Sequence, residues 1–278
     1  MIISYVQARP LLEARRRGLV EVETSLDLGR GMTSAILDDV GAHFSTGECL
    51  SWPHIEEISQ VEVKCFVLRD GYLEAVQAFS PVTNRLISLL PTQGAPSMLL
   101  AGFVMHRIKD IDPMQHAQRM LATLAPITGE VLDTTTGLGY ISLLAARSAA
   151  HVTTIELDPS VAEIARLNPW SQELFSAANI TRHLGDAYEL VPFLSDERFD
   201  RILHDPPTLK LAGELYSGAF YRELYRVLKR GGRLFHYVGD PESKASGSTT
   251  LGVIRRLQEA AFSHVIRRPE AYGVVALK

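Results

Sequence analysis

Two polar groups at the ends of successive predicted strands have the residue types of a nucleotide-binding site. A short apolar strand ends in the carboxylate of Asp133, the glycine-containing turn 134–139 follows, and a helix begins at Tyr140. Such a turn lets the backbone approach a ligand closely, and the first N–H groups of the helix point at that ligand. Glu156 ends the next strand, about 20 positions beyond the turn, where a carboxylate can accept hydrogen bonds from ribose hydroxyls. The pair therefore indicates a site for a ribose-containing ligand.

Two further groups follow the next two predicted strands. Gly185-Asp186-Ala187 comes directly after the third strand, and His204-Asp205-Pro206-Pro207 comes after the fourth. Because open α/β sheets place their ligand crevice at the carboxyl ends of the strands, we expect all four groups to lie at one crevice. The two prolines make the fourth loop rigid, which suits the positioning of a second reactant by Asp205. His204 is expected to point to the other side of the strand end and to be structural.

These groups require a parallel sheet, and the second half of the chain has the pattern of one. Strand-like and helix-like segments alternate after residue 110, which is typical of βαβ units. The predicted strands are 130–133, 152–156, 180–184, 199–204, 233–238, 263–267 and 273–277, and the predicted helices are 113–124, 140–149, 159–168, 214–228 and 250–261. The last two strands, joined by a short proline-containing turn, add an antiparallel edge. We therefore predict an α/β fold with a doubly wound, seven-stranded, mostly parallel sheet.

The first 110 residues have a different pattern, in which short alternating runs are separated by turn signals. The predicted strands are 20–26, 32–38, 63–68, 72–79 and 85–90, with a hairpin turn at Asp70-Gly71 and one short helix that opens at Ser51. An apolar strand is expected to run from Pro96 to His106-Arg107. We predict a smaller β-rich domain over residues 1–110, which caps or completes the site of the second reactant, and a cofactor-binding domain over residues 111–278.

Composition and charge exclude several classes of protein. The chain has 28 Lys and Arg against 32 Asp and Glu, a net charge of −4, so an overall basic surface for nucleic acid is missing. Two cysteines do not suffice for a disulfide framework or a four-ligand zinc site, and the nine histidines have no clustered spacing, so we expect no metal. The apolar runs are far shorter than the roughly 20 residues of a membrane span, and the first residues lack a secretory pattern. We expect a soluble, cytoplasmic protein.

Residues 110–278 resemble the Rossmann-type, class I S-adenosylmethionine-dependent methyltransferases. In that family the first loop reads approximately Asp/Glu-x-Gly-x-Gly-x-Gly; Asp133, Gly137 and Gly139 match it, and Thr135 stands in the place of the first glycine. The resemblance implies S-adenosyl-L-methionine as the cofactor, with Glu156 on the ribose hydroxyls, Asp186 on the adenine amino group, and Leu157 and Ala187 beside the ring. The complete set of cofactor-binding candidates is Asp133, Thr135, Gly137, Gly139, Tyr140, Glu156, Leu157, Asp186 and Ala187.

The loop that begins at Asp205 resembles the Asp/Asn-Pro-Pro-aromatic tetrapeptide of methyltransferases that act on amino groups. In those enzymes the acid side chain and a backbone carbonyl hold the target –NH₂, while the aromatic ring stacks on a planar substrate. Thr208 stands here in the aromatic position. This departure argues against a nucleobase or a glutamine as the acceptor and leaves another amine, or a non-nitrogen acceptor, open. A small-molecule acceptor is favoured, with RNA and protein as alternatives.

The layout of most of the chain also resembles a little-characterised family of predicted archaeal methyltransferases. The segments that carry this resemblance are Leu50-Ser51-Trp52, 105–110, 133–139 and 215–221. It implies no substrate, but it adds His106, Arg107 and Tyr216 to the cleft. The candidate catalytic residues are therefore Asp205, His106 and Tyr216.

Three alternatives remain. A dinucleotide-binding fingerprint would need a third glycine where Ser142 stands, and it does not include an Asp-Pro-Pro loop. An aminopropyl or aminocarboxypropyl transferase, similar to spermidine synthase, typically has a Gly-Gly-Gly-Asp-Gly-like loop and paired acids, where this chain has Thr134-Thr135-Thr136 and one acid at Asp205. A non-catalytic module that binds cofactor or RNA is disfavoured because all four strand-end acids are present together.

Overall fold

The computed structural model describes residues 1–239 and 244–278, and it divides into two compact units. Unit 1 consists of Met1–Met114 and Ser160–Gln172, and unit 2 consists of Gln115–Pro159 and Glu173–Lys278. None of the helices in the described part of the chain is both long enough and apolar enough to cross a membrane.

The first part of the chain is rich in short strands. Its elements are β1 (Ile2–Ile3), α1 (Tyr5–Arg16), β2 (Glu21–Thr24), β3 (Thr33–Leu37), β4 (Gly41–Phe44), β5 (Cys49–Ser51), α2 (Trp52–Gln60), β6 (Phe66–Arg69), β7 (Tyr72–Ala75), β8 (Gln77–Ser80), β9 (Arg85–Leu90), β10 (Ser97–Leu100) and β11 (Phe103–Val104).

The rest of the chain alternates helices and strands. Its elements are α3 (Pro113–Ala122), β12 (Glu130–Asp133), α4 (Tyr140–Ala146), β13 (His151–Glu156), α5 (Pro159–Leu167), α6 (Glu173–Ser176), β14 (Ile180–Leu184), α7 (Ala187–Leu190), β15 (Phe199–His204), α8 (Gly218–Val227), β16 (Leu228–Tyr237), α9 (Lys244–Glu259), β17 (Ser263–Arg268) and β18 (Gly273–Leu277).

Unit 1 contains three small antiparallel sheets, in the strand orders β1-β6-β7, β2-β3-β4-β5 and β11-β10-β9-β8. Helix α1 was not among the predicted elements, although Ser4 and Gln7 form a capping box at its start. A Ser followed three residues later by Gln is the sequence signal that marks such a helix start. The helix buries Ala8 and Leu11 in the core of the unit.

The prediction of one strand from Pro96 to Arg107 is wrong. The segment forms a hairpin of β10 and β11, with Leu100 opposite Phe103. Ala101 and Gly102 make the turn with φ values of 50° and 83°, the left-handed geometry of a two-residue hairpin loop. The predicted strand 72–79 is likewise two strands, since β7 pairs with β6 and β8 pairs with β9.

Unit 2 contains a seven-stranded sheet in the order β14-β13-β12-β15-β16-β18-β17. Neighbouring strands from β14 to β16 are parallel, and β18 is antiparallel to both of its neighbours. This confirms the predicted α/β class with a mostly parallel sheet and a β-rich N-terminal part. The chain moves outward from β12 to β14 and then returns to β15 on the other side of β12. The strand order therefore reverses between β12 and β15, where open sheets form their ligand crevice.

A continuous apolar core in unit 2 holds these strand ends in place. The sheet contributes Leu132, Ile202 and Leu234, which are fully buried. Helix α8 begins after Ser217, whose hydroxyl accepts a hydrogen bond from the backbone N–H of Phe220. It buries its apolar residues at helical spacing against the same core.

Two glycines of the turn before α4 allow a matched test of this local structure. Gly139 has φ of 78°, and a Cβ there would lie 2.6 Å from Leu174 Cδ2, whereas Gly137 has φ of 53° and open space at that position. We expect Gly137→Ala to lower the free energy of unfolding by about 1 kcal/mol through backbone strain, and Gly139→Ala to lower it by about 2 to 4 kcal/mol because a clash is added. Urea unfolding of both variants measures the difference, and equal losses would contradict it.

Candidate active site

The turn between β12 and α4 is held by hydrogen bonds to the neighbouring strand β13. The N–H of Thr136 donates to the carbonyl of Ile155 at 2.8 Å, and the N–H of Gly137 donates to Glu156 Oε2 at 2.8 Å. The Thr136 and Thr154 hydroxyls lie 2.6 Å apart. Because a Cβ at Gly137 would meet no atom within 4 Å, the backbone is open to close approach there.

Asp133 is buried next to this turn, and its carboxylate accepts three hydrogen bonds. Its Oδ2 accepts the hydroxyls of Ser142 at 2.6 Å and Thr154 at 3.0 Å, and its Oδ1 accepts the N–H of Thr135 at 3.3 Å. Burial raises the pKa of Asp133 to about 6, and these hydrogen bonds lower it in part. The Asp133 carboxylate therefore organises the turn from within, and its contact with a cofactor stays a prediction.

Glu156 lies at the end of β13, partly exposed. Oε1 accepts the N–H of Asp158 at 3.0 Å, and Oε2 accepts the N–H of Gly137, so the turn and the strand end orient the carboxylate together. Burial raises the pKa of Glu156 to about 7, with smaller contributions from the charges of Asp158 and Asp133. Each oxygen accepts one backbone N–H and keeps a second lone pair, so the pair of oxygens fits a ribose diol.

The third strand end has a different arrangement. Asp186 Oδ1 accepts the N–H of Tyr188 at 2.7 Å and so caps the short helix α7. Ala187 is buried, and Leu157, which follows β13, is 47% exposed. The exposed apolar side chain of Leu157 is chemically suited to the face of a purine ring, and the partly exposed carboxylate of Asp186 is suited to its amino group.

Asp205 follows β15 and is partly exposed. Burial, with a smaller contribution from the charge of Asp133, raises the pKa of its carboxyl group to about 7. The Asp205 carbonyl accepts the Thr135 hydroxyl at 2.8 Å. The structure thus brings the end of β15 directly to the turn that follows β12.

Tyr216 holds the far end of the Asp-Pro-Pro loop. It lies in the short 3₁₀ helix Gly213–Tyr216, and its hydroxyl donates to the carbonyl of Pro207 at 3.0 Å. Its ring is only 5% exposed, and burial raises the pKa of its phenol. In this geometry Tyr216 stabilises the loop through its hydrogen bond to Pro207, and direct contact of Tyr216 with a substrate stays a prediction.

Two buried, neutral histidines lie on the neighbouring strands β15 and β16, close to the strand end that Asp205 follows. His204 Nε2 is 2.9 Å from the carbonyl oxygen of Leu215, which can only accept, so Nε2 carries the proton and Nδ1 accepts the Thr134 hydroxyl at 2.7 Å. Burial lowers the pKa of His204 to about 4 and that of His236 well below its usual value. The two rings meet edge to face, with centroids 4.4 Å apart.

Sequence reasoning missed His236, although it lies near the end of β16 as the other polar groups lie at theirs. Its Nδ1 is 2.7 Å from the Tyr237 carbonyl, so its Nε2 accepts the Tyr221 hydroxyl at 2.8 Å. A polar residue close to the end of the next parallel strand is the signal that identifies it.

His106 and Arg107 belong to unit 1, whereas the strand-end residues belong to unit 2. His106 is partly exposed, and its Nδ1 lies 3.1 Å from Ser97 Oγ. Its participation in catalysis stays a prediction.

The chain is similar to known proteins in both sequence and fold. A family model described as a methyltransferase domain matches residues 131–232. The uncharacterized protein MJ1233 of Methanocaldococcus jannaschii is 41% identical over 239 residues, covering 85% of this chain and 81% of that protein. A tRNA1(Val) (adenine(37)-N6)-methyltransferase of Shewanella baltica is 38% identical over 82 residues, 28% of this chain and 32% of that enzyme. The spermidine synthase structure from Thermotoga maritima has a TM-score of 0.57 at 21% identity, covering 72% of this chain and 70% of that one, and shows a shared fold.

The sheet order and the methyltransferase-domain match identify the class, which is the Rossmann-type, S-adenosylmethionine-dependent methyltransferases. Within that class, the chain belongs to the same family as MJ1233 of Methanocaldococcus jannaschii.

The raised pKa of Asp205 predicts a specific pH dependence of stability. Between its unfolded pKa of about 4 and its folded pKa of about 7, the folded protein retains a proton that the unfolded chain releases, so the free energy of unfolding falls as pH rises. We expect Asp205→Asn to remove up to about 1.4 kcal/mol per pH unit of this slope. Urea unfolding of the cofactor-free protein from pH 4.5 to 7.5 measures the slope. The control is Asp39→Asn, which makes the same change at an exposed position and should keep the wild-type slope. An unchanged slope in Asp205→Asn would refute the raised pKa of Asp205.

Proposed function

We propose that this protein transfers the methyl group of S-adenosylmethionine to an amino nitrogen that Asp205 orients. The observation that carries the proposal is the position of Asp205: a partly exposed carboxyl group with a pKa of about 7, at the end of β15, bonded through its backbone to the turn after β12. The strand order reverses at that point, so a ligand on the turn and a ligand on Asp205 would be neighbours.

In the proposed mechanism, S-adenosylmethionine bound at the turn after β12 would supply an electrophilic methyl carbon on a sulfonium. The new N–C bond would form as the C–S bond breaks, with S-adenosylhomocysteine as the leaving group. Asp205 accepts a hydrogen bond from the acceptor amine and directs the nitrogen lone pair at that carbon. The proton that the methylated nitrogen loses passes to the Asp205 carboxylate. A pKa near 7 leaves part of the Asp205 population ionised at neutral pH, as a proton acceptor requires.

On the cofactor side, we propose that Glu156 holds the ribose hydroxyls and Asp186 the adenine amino group, with Leu157 and Ala187 beside the ring. The turn residues Thr135, Gly137 and Gly139, with Tyr140 at the start of α4, would line the rest of the cofactor. The charge of Asp133 contributes to the raised pKa values of both Glu156 and Asp205. A positive sulfonium among these carboxyl groups would be stabilised by their charges.

The choice of nitrogen rests on the loop and on one relative. The Asp-Pro-Pro sequence offers a carboxylate and carbonyls, which accept N–H donors, and the Shewanella relative is an adenine(37)-N6-methyltransferase, whose acceptor is an N6 amino nitrogen. Thr208 is exposed and provides no aromatic platform. We therefore favour a small-molecule amine over a nucleobase as the acceptor.

A labelling experiment tests the reaction. The protein is incubated with each of the metabolite, RNA and protein fractions of a cell extract, together with S-adenosylmethionine labelled in the methyl group or, in a parallel reaction, in the aminocarboxypropyl carbons. We expect methyl label in the metabolite fraction, and methyl label in RNA or protein would overturn the favoured acceptor. Transfer of the aminocarboxypropyl label without the methyl label would establish aminocarboxypropyl transfer instead. No transfer to any fraction would contradict the proposal.

Removal of the Asp205 carboxylate should separate catalysis from cofactor binding. We expect Asp205→Ala to lower methyl-transfer turnover by about 100-fold or more, the usual loss when a proton acceptor is removed. Calorimetry with S-adenosylhomocysteine should give an unchanged dissociation constant. Turnover close to that of the wild type would rule out the role of Asp205.

Glu156 should show the opposite behaviour. Loss of hydrogen bonds to a charged group is expected to weaken S-adenosylhomocysteine binding by about tenfold or more in Glu156→Gln. The control is Glu189→Gln, which makes the same chemical change at an exposed position of α7 and should leave the affinity as it is. Equal affinities of the two variants would contradict the assigned ribose contact.

A further inference from the structure

Thr135 stands where the methyltransferase pattern has its first glycine, and its side chain makes a bond that glycine does not make. The Thr135 hydroxyl donates to the Asp205 carbonyl at 2.8 Å. A loop of the glycine pattern would leave that carbonyl without this donor. The substitution therefore introduces a direct link between the cofactor turn and the acceptor loop.

The neighbouring threonines make different contacts, which isolates the role of Thr135. The Thr134 hydroxyl bonds to buried His204, within β15. The Thr136 hydroxyl bonds to Thr154 on β13, on the opposite side of β12. Of the three consecutive hydroxyls, that of Thr135 is the one that contacts the Asp-Pro-Pro loop in the described structure.

The composition of that loop explains why a side-chain donor matters. Pro206 and Pro207 have no backbone N–H, so their part of the loop is held through its carbonyl groups. Thr135 donates to the carbonyl of Asp205, and Tyr216 donates to the carbonyl of Pro207. Two hydroxyls, one at each end, thus fix the segment that carries the Asp205 carboxylate.

We propose that Thr135 is a positioning residue that couples occupancy of the cofactor turn to the order of the acceptor loop. The inference rests on the proposed function, in which the turn binds S-adenosylmethionine and Asp205 binds the acceptor. A ligand that fixes the turn also fixes the Thr135 hydroxyl, which lowers the entropic cost of holding Asp205 in place. Because such coupling is reciprocal, an ordered acceptor loop also favours cofactor binding. The acceptor site is therefore assembled most completely after the methyl donor has bound.

Hydrogen–deuterium exchange of the full chain tests this coupling, with S-adenosylhomocysteine at saturation as the probe. In the wild type, the ligand should slow amide exchange in residues 205–212. Thr135→Val keeps the shape of the side chain but lacks the hydroxyl, so its ligand-induced protection of this segment should fall by about fivefold, the effect of one ordinary hydrogen bond. Thr135→Ser retains the hydroxyl and should restore the protection.

Thr136→Val is the matched control, because it removes a hydroxyl from the same turn that bonds to β13 instead. It should keep the ligand-induced protection of residues 205–212 at saturation. Equal protection in Thr135→Val and the wild type would overturn the proposal, as would equal losses in Thr135→Val and Thr136→Val. A general loss of folding in a variant would appear as faster exchange across the core strands β12 and β15.

The failure of the coupling is distinguishable from the failure of the proposed function. Calorimetry shows whether S-adenosylhomocysteine binds the wild type; absence of binding would remove the cofactor assignment and the coupling with it. The bond itself is tested without ligand, since residues 205–212 should exchange faster in Thr135→Val than in Thr135→Ser. Binding with normal affinity to all variants, together with unchanged protection, would leave the proposed function intact and refute only the role of Thr135.

Discussion

The pairing of β12 with β13 on one side and β15 on the other governs the rest of the site. Parallel pairing puts the carboxyl ends of all three strands at the same edge of the sheet. The strand order reverses between β12 and β15, which is the point where open α/β sheets form their ligand crevice. Residues that are 70 positions apart in sequence meet there, since the Thr135 hydroxyl donates to the backbone carbonyl of Asp205. The buried apolar residues of these strands and of α8 keep the edge in register.

Hydroxyl groups connect these strand ends at the level of side chains. The Thr154 and Ser142 hydroxyls both donate to the buried Asp133 carboxylate. Because the Thr154 hydroxyl proton is used in this way, the Thr136 hydroxyl, 2.6 Å from that of Thr154, donates to it. A buried carboxylate is costly unless hydrogen bonds satisfy it. The threonine-rich turn therefore has a structural use as well as the functional one proposed for Thr135. Its three hydroxyls reach both neighbours of β12, which a glycine-rich turn would not do.

The local sequence allowed the parallel sheet and the position of the strand ends to be predicted, because buried strands, glycine turns and helix starts have short-range signatures. Glu156 and Asp205 were identified on that basis. The hairpin of β10 and β11 was missed, since its turn uses a non-glycine residue, Ala101, in the left-handed region, for which composition gives little signal. Helix α1 was missed although its capping box is visible in the sequence.

What the sequence determined by itself is the class of fold and the set of acids at the strand ends, because both follow from patterns within a few residues. Only the tertiary structure decided the state of each acid. The pKa values of Asp133, Glu156 and Asp205 rise chiefly because the fold buries these groups, and the nearby charge of Asp133 contributes to the rise at Glu156 and Asp205. The tertiary structure also decided the partner of Thr135, which the sequence displays only as a departure from a glycine pattern. A hydrogen bond between two loops depends on strand order, and strand order is a property of long-range packing that no short segment contains.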